Sequence, residues 1–87
     1  MKQKLTHKIL EYTVIFEPAK EGGYVVSAPS LPGCVTQGET IEEATHMIKD
    51  AIKGYLSVLK EEGGEIPSEI PEAIITKVAV KYPTPYI

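Results

Sequence analysis

One stretch of this chain, residues 40–62, has the periodicity of an amphipathic helix. Its apolar positions recur at three- and four-residue intervals; they are Ile41, Ala44, Ile48, Ile52, Tyr55, Leu56 and Leu59. Thr40 and Glu43 form a capping-box pattern at the start, and Gly63-Gly64 predicts the end. A single helix buries only one apolar side, so the rest of the chain must supply the surface that it packs against.

Short segments rich in β-branched and aromatic residues predict that this surface is a sheet. Strands are expected over residues 10–17, 24–28 and 34–38. Gly22-Gly23 permits positive φ in a tight connection, so the first two strands should form a hairpin. Consecutive strands joined by short connections favour an antiparallel three-stranded meander.

Beyond the helix, residues 74–80 are rich in Ile and Val and predict a C-terminal strand. Two prolines make residues 81–87 an irregular tail. The expected fold is therefore an α+β domain of order β-β-β-α-β. With 87 residues the chain should form a single domain, with its core over about residues 10–80. No C-terminal DNA-binding domain is expected after it.

The predicted sheet has apolar residues on both faces, but one helix covers only one of them. Ile15 and Val25 alternate with the helix-facing residues of their strands, so something else should cover them. A second copy of the chain is the simplest candidate, and a small domain gains buried area by association. We therefore expect a homo-oligomer.

An apolar shoulder on the helix, Met47, Gly54 and Val58, has two interpretations. It either widens the contact with the core or forms part of the oligomer interface. The absent side chain of Gly54 would let a neighbouring backbone come close.

Composition narrows the classes of function. The net charge is −3, the chain contains no arginine, and its nine lysines are scattered. Direct binding of nucleic acid is not expected, since such proteins concentrate Lys and Arg. Cys34 is the single cysteine, and no apolar run is long enough for a signal peptide or a membrane span. These features predict a cytoplasmic protein.

Residues 23–38 read Gly-Tyr-Val-Val-Ser-Ala-Pro-Ser-Leu-Pro-Gly-Cys-Val-Thr-Gln-Gly, and residues 40–44 continue Thr-Ile-Glu-Glu-Ala. This long ungapped pattern resembles the signature of the HicB-type antitoxins, over about residues 10–80. The resemblance implies a truncated, partial RNase H-like domain. It also implies a partner, a HicA-type mRNA-cleaving ribonuclease toxin, which the antitoxin binds and neutralises. The alternative is a stand-alone oligomeric protein- or ligand-binding module with no toxin partner.

The loop between the second and third strands is the candidate partner-binding site. Pro29 and Pro32 stiffen it, and Leu31 between them is predicted to be an exposed apolar anchor. Tyr24 on the preceding strand would add a large amphipathic contact. The other interpretation makes the loop a rigid connector, with Leu31 in the core.

The sequence contains few residue patterns that favour a catalytic or metal site. A two-metal nuclease needs converging carboxylates, whereas Asp50 lies on the polar helix face and Glu11 and Glu17 at the ends of one strand. Cys34 and His46 have no third group to orient the imidazole. His46 and Asp50, one helical turn apart, form at most a surface pair without a third metal ligand. The chain is therefore expected to be neither an enzyme nor a metal or cofactor binder.

Overall fold

In a computed structural model, which describes residues 9–69 and 74–85, three strands precede one helix. The strands are β1 (Ile15–Pro18), β2 (Tyr24–Ser27) and β3 (Val35–Gly38), and the helix α1 spans Ile41–Glu61. The sheet has the order β1-β2-β3, with both pairs antiparallel. The predicted α+β class, the meander and the single helix are confirmed.

The hairpin between β1 and β2 closes at the predicted glycine pair. Gly22 and Gly23 have φ values of +101° and +75°. The amide of Ala19 donates to the carbonyl of Gly23 at 3.0 Å, and Gly22 donates back to Ala19 at 3.1 Å. The register pairs Phe16 with Val26. Phe16 and Val26 therefore share the face that packs against α1.

Helix α1 begins as its sequence predicts, with one shift in the capping pattern. The hydroxyl of Thr40 accepts a hydrogen bond from the amide of Glu43 at 3.0 Å. The carboxylate of Glu43 accepts from Glu39 at 3.2 Å, one residue before the expected partner. Gly38 touches the first turn of the helix so closely that a Cβ there would lie 2.4 Å from the amide nitrogen of Ala44. β3 and α1 can pack this closely because residue 38 has no side chain.

The end of α1 is a Schellman motif. The amide of Gly63 donates to Lys60 at 3.1 Å, and that of Gly64 to Leu59 at 2.9 Å. No helix within the described residues is long and apolar enough to cross a membrane.

The core lies between the sheet and α1. Its fully buried members are Val26, Ala28, Leu31, Cys34, Ala44 and Ile48. Within the described residues, these six buried apolar residues form a small core, as expected for a domain of this size.

The predicted C-terminal strand does not form within this chain. Residues 74–80 have neither helix nor strand assignment and are exposed. A strand needs a neighbour for its backbone hydrogen bonds, and this segment lies beside no strand of its own sheet. The last strand of the predicted β-β-β-α-β order is therefore not present over residues 74–80.

Candidate protein-interaction surface

The loop after β2 consists of two successive β-turns. The amide of Leu31 donates to Ala28 at 2.9 Å, and the amide of Cys34 donates to Leu31 at 2.9 Å. Pro32 and Gly33 are the central residues of the second turn, and the φ of +84° at Gly33 matches the third position of a type II turn, which favours glycine. Ala28 then donates to Cys34 at 3.0 Å and closes the loop. Three backbone hydrogen bonds therefore order the loop within the single chain.

Leu31 is buried completely, so the prediction of an exposed anchor is wrong in its geometry. The two turns meet at this residue, and its side chain belongs to the core beside Val26 and Cys34. Pro29 and Pro32 remain exposed on the outside of the loop. Only these two prolines of the loop's predicted contacts are available to a partner. Whether they bind one stays a prediction.

Tyr24 does not join the prolines in one site. It opens β2, whereas Pro29 lies beyond the other end of that strand. Five residues of extended chain span roughly 16 Å. Tyr24 is half-buried and lines a polar depression with Met47 near the start of α1. The structure therefore separates the predicted partner contacts into two places.

The loop adjoins a groove that runs along the second half of α1. We call it the loop–helix groove; it measures about 480 Å³, and its lining includes Gly33, Cys34, Val35, Gly54 and Val58. Val35 and Val58 are more than half exposed, at 55% and 53%. Gly54 and Val58 belong to the apolar shoulder that the sequence predicts as either core contact or oligomer interface. They lie next to the proline loop, whereas Met47, on the same side of α1, lines a different depression.

The uncovered side of the sheet is mixed in character. Ile15 pairs with Ser27, and Val25 with Glu17 and Gln37, on the face opposite α1. We call this surface the open face. Ile15 and Val25 are half-buried, and Val35 adds an exposed apolar side chain. The prediction that apolar residues remain on this second face agrees with the structure; what covers them is not shown.

A second groove was not predicted from the sequence. The β1–helix groove, of about 520 Å³, lies between the chain entering β1 and α1. Its apolar lining is Leu10, Tyr12, Val14, Ile48, Ile52 and Leu56. The alternation of apolar residues at positions 10, 12 and 14 was the available signal. This alternation predicts a strand. It does not predict that the space between this strand and α1 would remain open as a groove.

Glu69 ties the segment after the helix to the start of the sheet. One carboxylate oxygen accepts from the backbone amide of Thr13, and the other accepts from its hydroxyl at 2.8 Å. The hydroxyl of Ser30 adds a third bond at 3.1 Å, and the hydroxyl of Tyr12 donates to the carbonyl of Pro67. The amide and hydroxyl of Thr13 lower the pKa of Glu69. No local pattern signals a contact across 56 residues.

Among the described residues, the titratable groups outside this contact are not arranged as a catalytic site. Burial raises the pKa of the Cys34 thiol, which disfavours the thiolate needed for nucleophilic attack. His46 and Asp50 are 3.6 Å apart on the exposed side of α1. Within residues 9–69 and 74–85, no three His, Cys, Asp or Glu side chains come close enough to hold a metal ion.

The fold and its surfaces define a small α+β domain with two apolar grooves along its helix, one of them beside the ordered loop. The model of the family described as "HicB_like antitoxin of bacterial toxin-antitoxin system" matches residues 12–81. This chain belongs to that family.

Individual relatives differ in how much of their length they share with the chain. The UPF0150 protein Ta0767 of Thermoplasma acidophilum is 46% identical over 65 residues, which are 75% of this chain and 94% of that protein. The UPF0150 protein of Archaeoglobus fulgidus is 42% identical over 64% of this chain and 83% of its own length. Antitoxin HicB of Escherichia coli K12 is 40% identical over 71% of this chain but only 45% of its own length. The chain thus spans most of the UPF0150 proteins and less than half of this antitoxin.

Proposed function

We propose that this chain is an antitoxin that binds and neutralises a small, HicA-type ribonuclease toxin in the cytoplasm. The observation that carries the proposal is the family match over residues 12–81, which includes the whole sheet and helix. The partner is expected to be basic, because opposite net charges speed encounter and this chain carries −3. In this proposal the antitoxin acts by occlusion, that is, by covering the toxin's active surface.

The loop–helix groove is the surface that we assign to the toxin. Its apolar wall at Val58 and Leu59 supplies area that a partner can bury, and Gly54 lets a partner's backbone approach the helix. Gly33 of the second turn lines this groove, and Pro29 and Pro32 are exposed in the same loop, whose turns are already ordered. Pre-ordering reduces the entropy lost on binding.

The open face supports the second part of the proposal, that copies of the chain associate. Ile15 and Val25 are apolar and incompletely covered in the single chain. Burying them between copies would remove them from water. We therefore propose a homo-oligomer.

A stand-alone binding module remains the second candidate, and one observation favours it. The UPF0150 relatives align along most of their length, and their names state no toxin partner. The two candidates differ in whether a toxin is bound at all.

Inhibition of a toxin decides between them. The wild-type chain, co-expressed with a HicA-type toxin from its own genome, should restore growth, co-purify with the toxin and stop cleavage of mRNA in vitro. Failure of the wild-type chain in all three assays would favour the stand-alone module.

A matched pair of variants on α1 locates the site. Val58→Asp puts a charge into the groove and should weaken toxin binding about 30-fold, as for an interface hot spot worth about 2 kcal/mol. Ser57→Asp makes the same change one position away on the exposed side of the helix and should bind like wild type. Equal binding by both variants would remove the groove from the proposed interface.

A further inference from the structure

Residues 74–80 expose more apolar surface than an ordinary connection does. Ile74 and Val78 are 85% and 83% exposed, and Ile75 and Val80 are similarly uncovered. Exposed apolar side chains that follow one another along a chain mark a surface that binds another protein. This segment is therefore a candidate interaction element in its own right.

The order of its side chains is that of a half-buried strand. The residues at even positions are Ile74, Thr76, Val78, Val80 and Tyr82. The odd positions include Lys77, Ala79 and Lys81. Since side chains alternate across a strand, an extended segment would have one mainly apolar side and one side with two positive charges. Such a strand fits the edge of a sheet that has a groove on one side and water on the other.

β1 offers an edge of this kind. Hydrogen-bonded and unbonded residues alternate along an antiparallel ladder. Ala19 donates to Gly23 across the hairpin, which makes the odd-numbered residues of β1 those bonded to β2. Phe16 therefore directs its N–H and C=O groups away from β2. Pro18 directs only a carbonyl there, as is typical of prolines in edge strands.

The β1–helix groove lies on the side of that edge where apolar side chains would enter. A strand added beside β1 shares the two faces of the sheet, so every second side chain would lie on the α1 side. The groove there is lined by Val14, Ile48, Ile52 and Leu56, among others. Its volume of about 520 Å³ provides room for several aliphatic side chains. The even positions of residues 74–82 match this environment.

The odd positions match the open face. Ile15 and Glu17 alternate along β1 on the side away from the helix. A neighbouring strand would place Lys77 and Lys81 on the same side as Glu17. Opposite charges on adjacent strands stabilise the pairing, and Ile75 would extend the apolar area around Ile15. Both sides of the segment therefore fit the same edge.

Residues 74–80 do not pair with the free edge of β1 in their own chain, and the chain as a whole is extended. The radius of gyration is 17.9 Å and the longest dimension 75 Å. A compact chain of this length would have a radius of gyration of about 12 Å. We propose that two copies exchange residues 74–82, each adding this segment as a strand to the free edge of β1 in the other. The inference deepens the homo-oligomer proposed above and does not depend on a toxin.

Molecular mass gives the first test. In sedimentation or light scattering at micromolar concentration, the wild type should show twice the chain mass of 9.5 kDa. Val78→Lys places a charge in the apolar groove, beside Lys49 and Lys53 of its rim, and should raise the dimer dissociation constant at least about tenfold. Ala79→Lys makes the same change on the opposite side, near Glu17, and should leave the mass unchanged. A monomeric wild type, or a Val78→Lys variant that stays dimeric, would overturn strand exchange.

Isotope-filtered NMR tells exchange from a strand that folds back onto its own chain. In a mixture of labelled and unlabelled wild-type copies, we expect contacts between methyl groups of Val78 in one copy and Ile52 or Leu56 in the other. Contacts found only within one copy would refute the exchange, even if the protein is a dimer. A dimer that survives Val78→Lys but dissociates with Val25→Lys would show that the open face alone joins the copies.

Discussion

Leu31 shows how a single residue can belong to a loop and to the core at once. Prolines on both sides made it a plausible exposed anchor, since a loop residue between prolines is usually on the surface. The two turns instead point it inward, where it is fully buried. The direction of one side chain depends on how the turns sit against the helix, which no local pattern encodes.

Leu31→Ala should therefore lower the free energy of unfolding by about 2–5 kcal/mol, because it leaves a cavity in a small core. Denaturant unfolding measures the change. Val35→Ala, at a site 55% exposed, is the control and should change stability by less than about 0.5 kcal/mol. Toxin inhibition per folded molecule should be the same for Leu31→Ala as for wild type. If Leu31→Ala lost inhibition without losing stability, Leu31 would instead be an exposed anchor for the partner.

Secondary-structure elements were more predictable than single side chains where their signals are local. The capping pattern at Thr40 and the glycines at positions 22, 23, 63 and 64 located the helix and the hairpin. The pattern of residues 74–80 is equally regular, yet the segment is not part of the sheet formed by β1, β2 and β3. The spacing of apolar residues shows which side of a segment is suited to burial. It does not show which molecule covers that side.

The contact between the post-helix segment and β1 gives a prediction at this scale. The folded-state pKa of Glu69 lies below its ordinary value of 4.5. Its contribution to stability is therefore fully present above that value and is lost as the pH falls through the lowered pKa. The amide resonance of Thr13 in NMR should titrate with a midpoint below 4.5. In Glu69→Gln this titration should vanish, whereas Glu65→Gln should keep it; a titration of Thr13 that persists in Glu69→Gln would contradict the contact.

At the scale of the whole molecule, the net charge argues against nucleic acid as a partner but does not identify a protein partner. The chain has a net charge of −3, no arginine, and no cluster of lysines in its sequence. Phosphate contacts need positive charge, so we expect no sequence-selective binding of DNA or RNA. Titration with labelled fragments of its own genome at near-physiological salt tests this. Submicromolar, sequence-selective binding would show that the domain reads nucleic acid directly.

The three strands and the helix follow one another along the chain, joined by residues 19–23, 28–34 and 39–40. Such short connections give a low contact order, which favours rapid folding. The sheet and α1 can therefore form within one chain, before residues 74–82 meet a second copy. Strand exchange would then be a later, bimolecular step whose rate rises with concentration. The fraction of chains that are dimeric would then rise with the amount of protein synthesised. Strand exchange would in this way couple dimer formation to the level of expression.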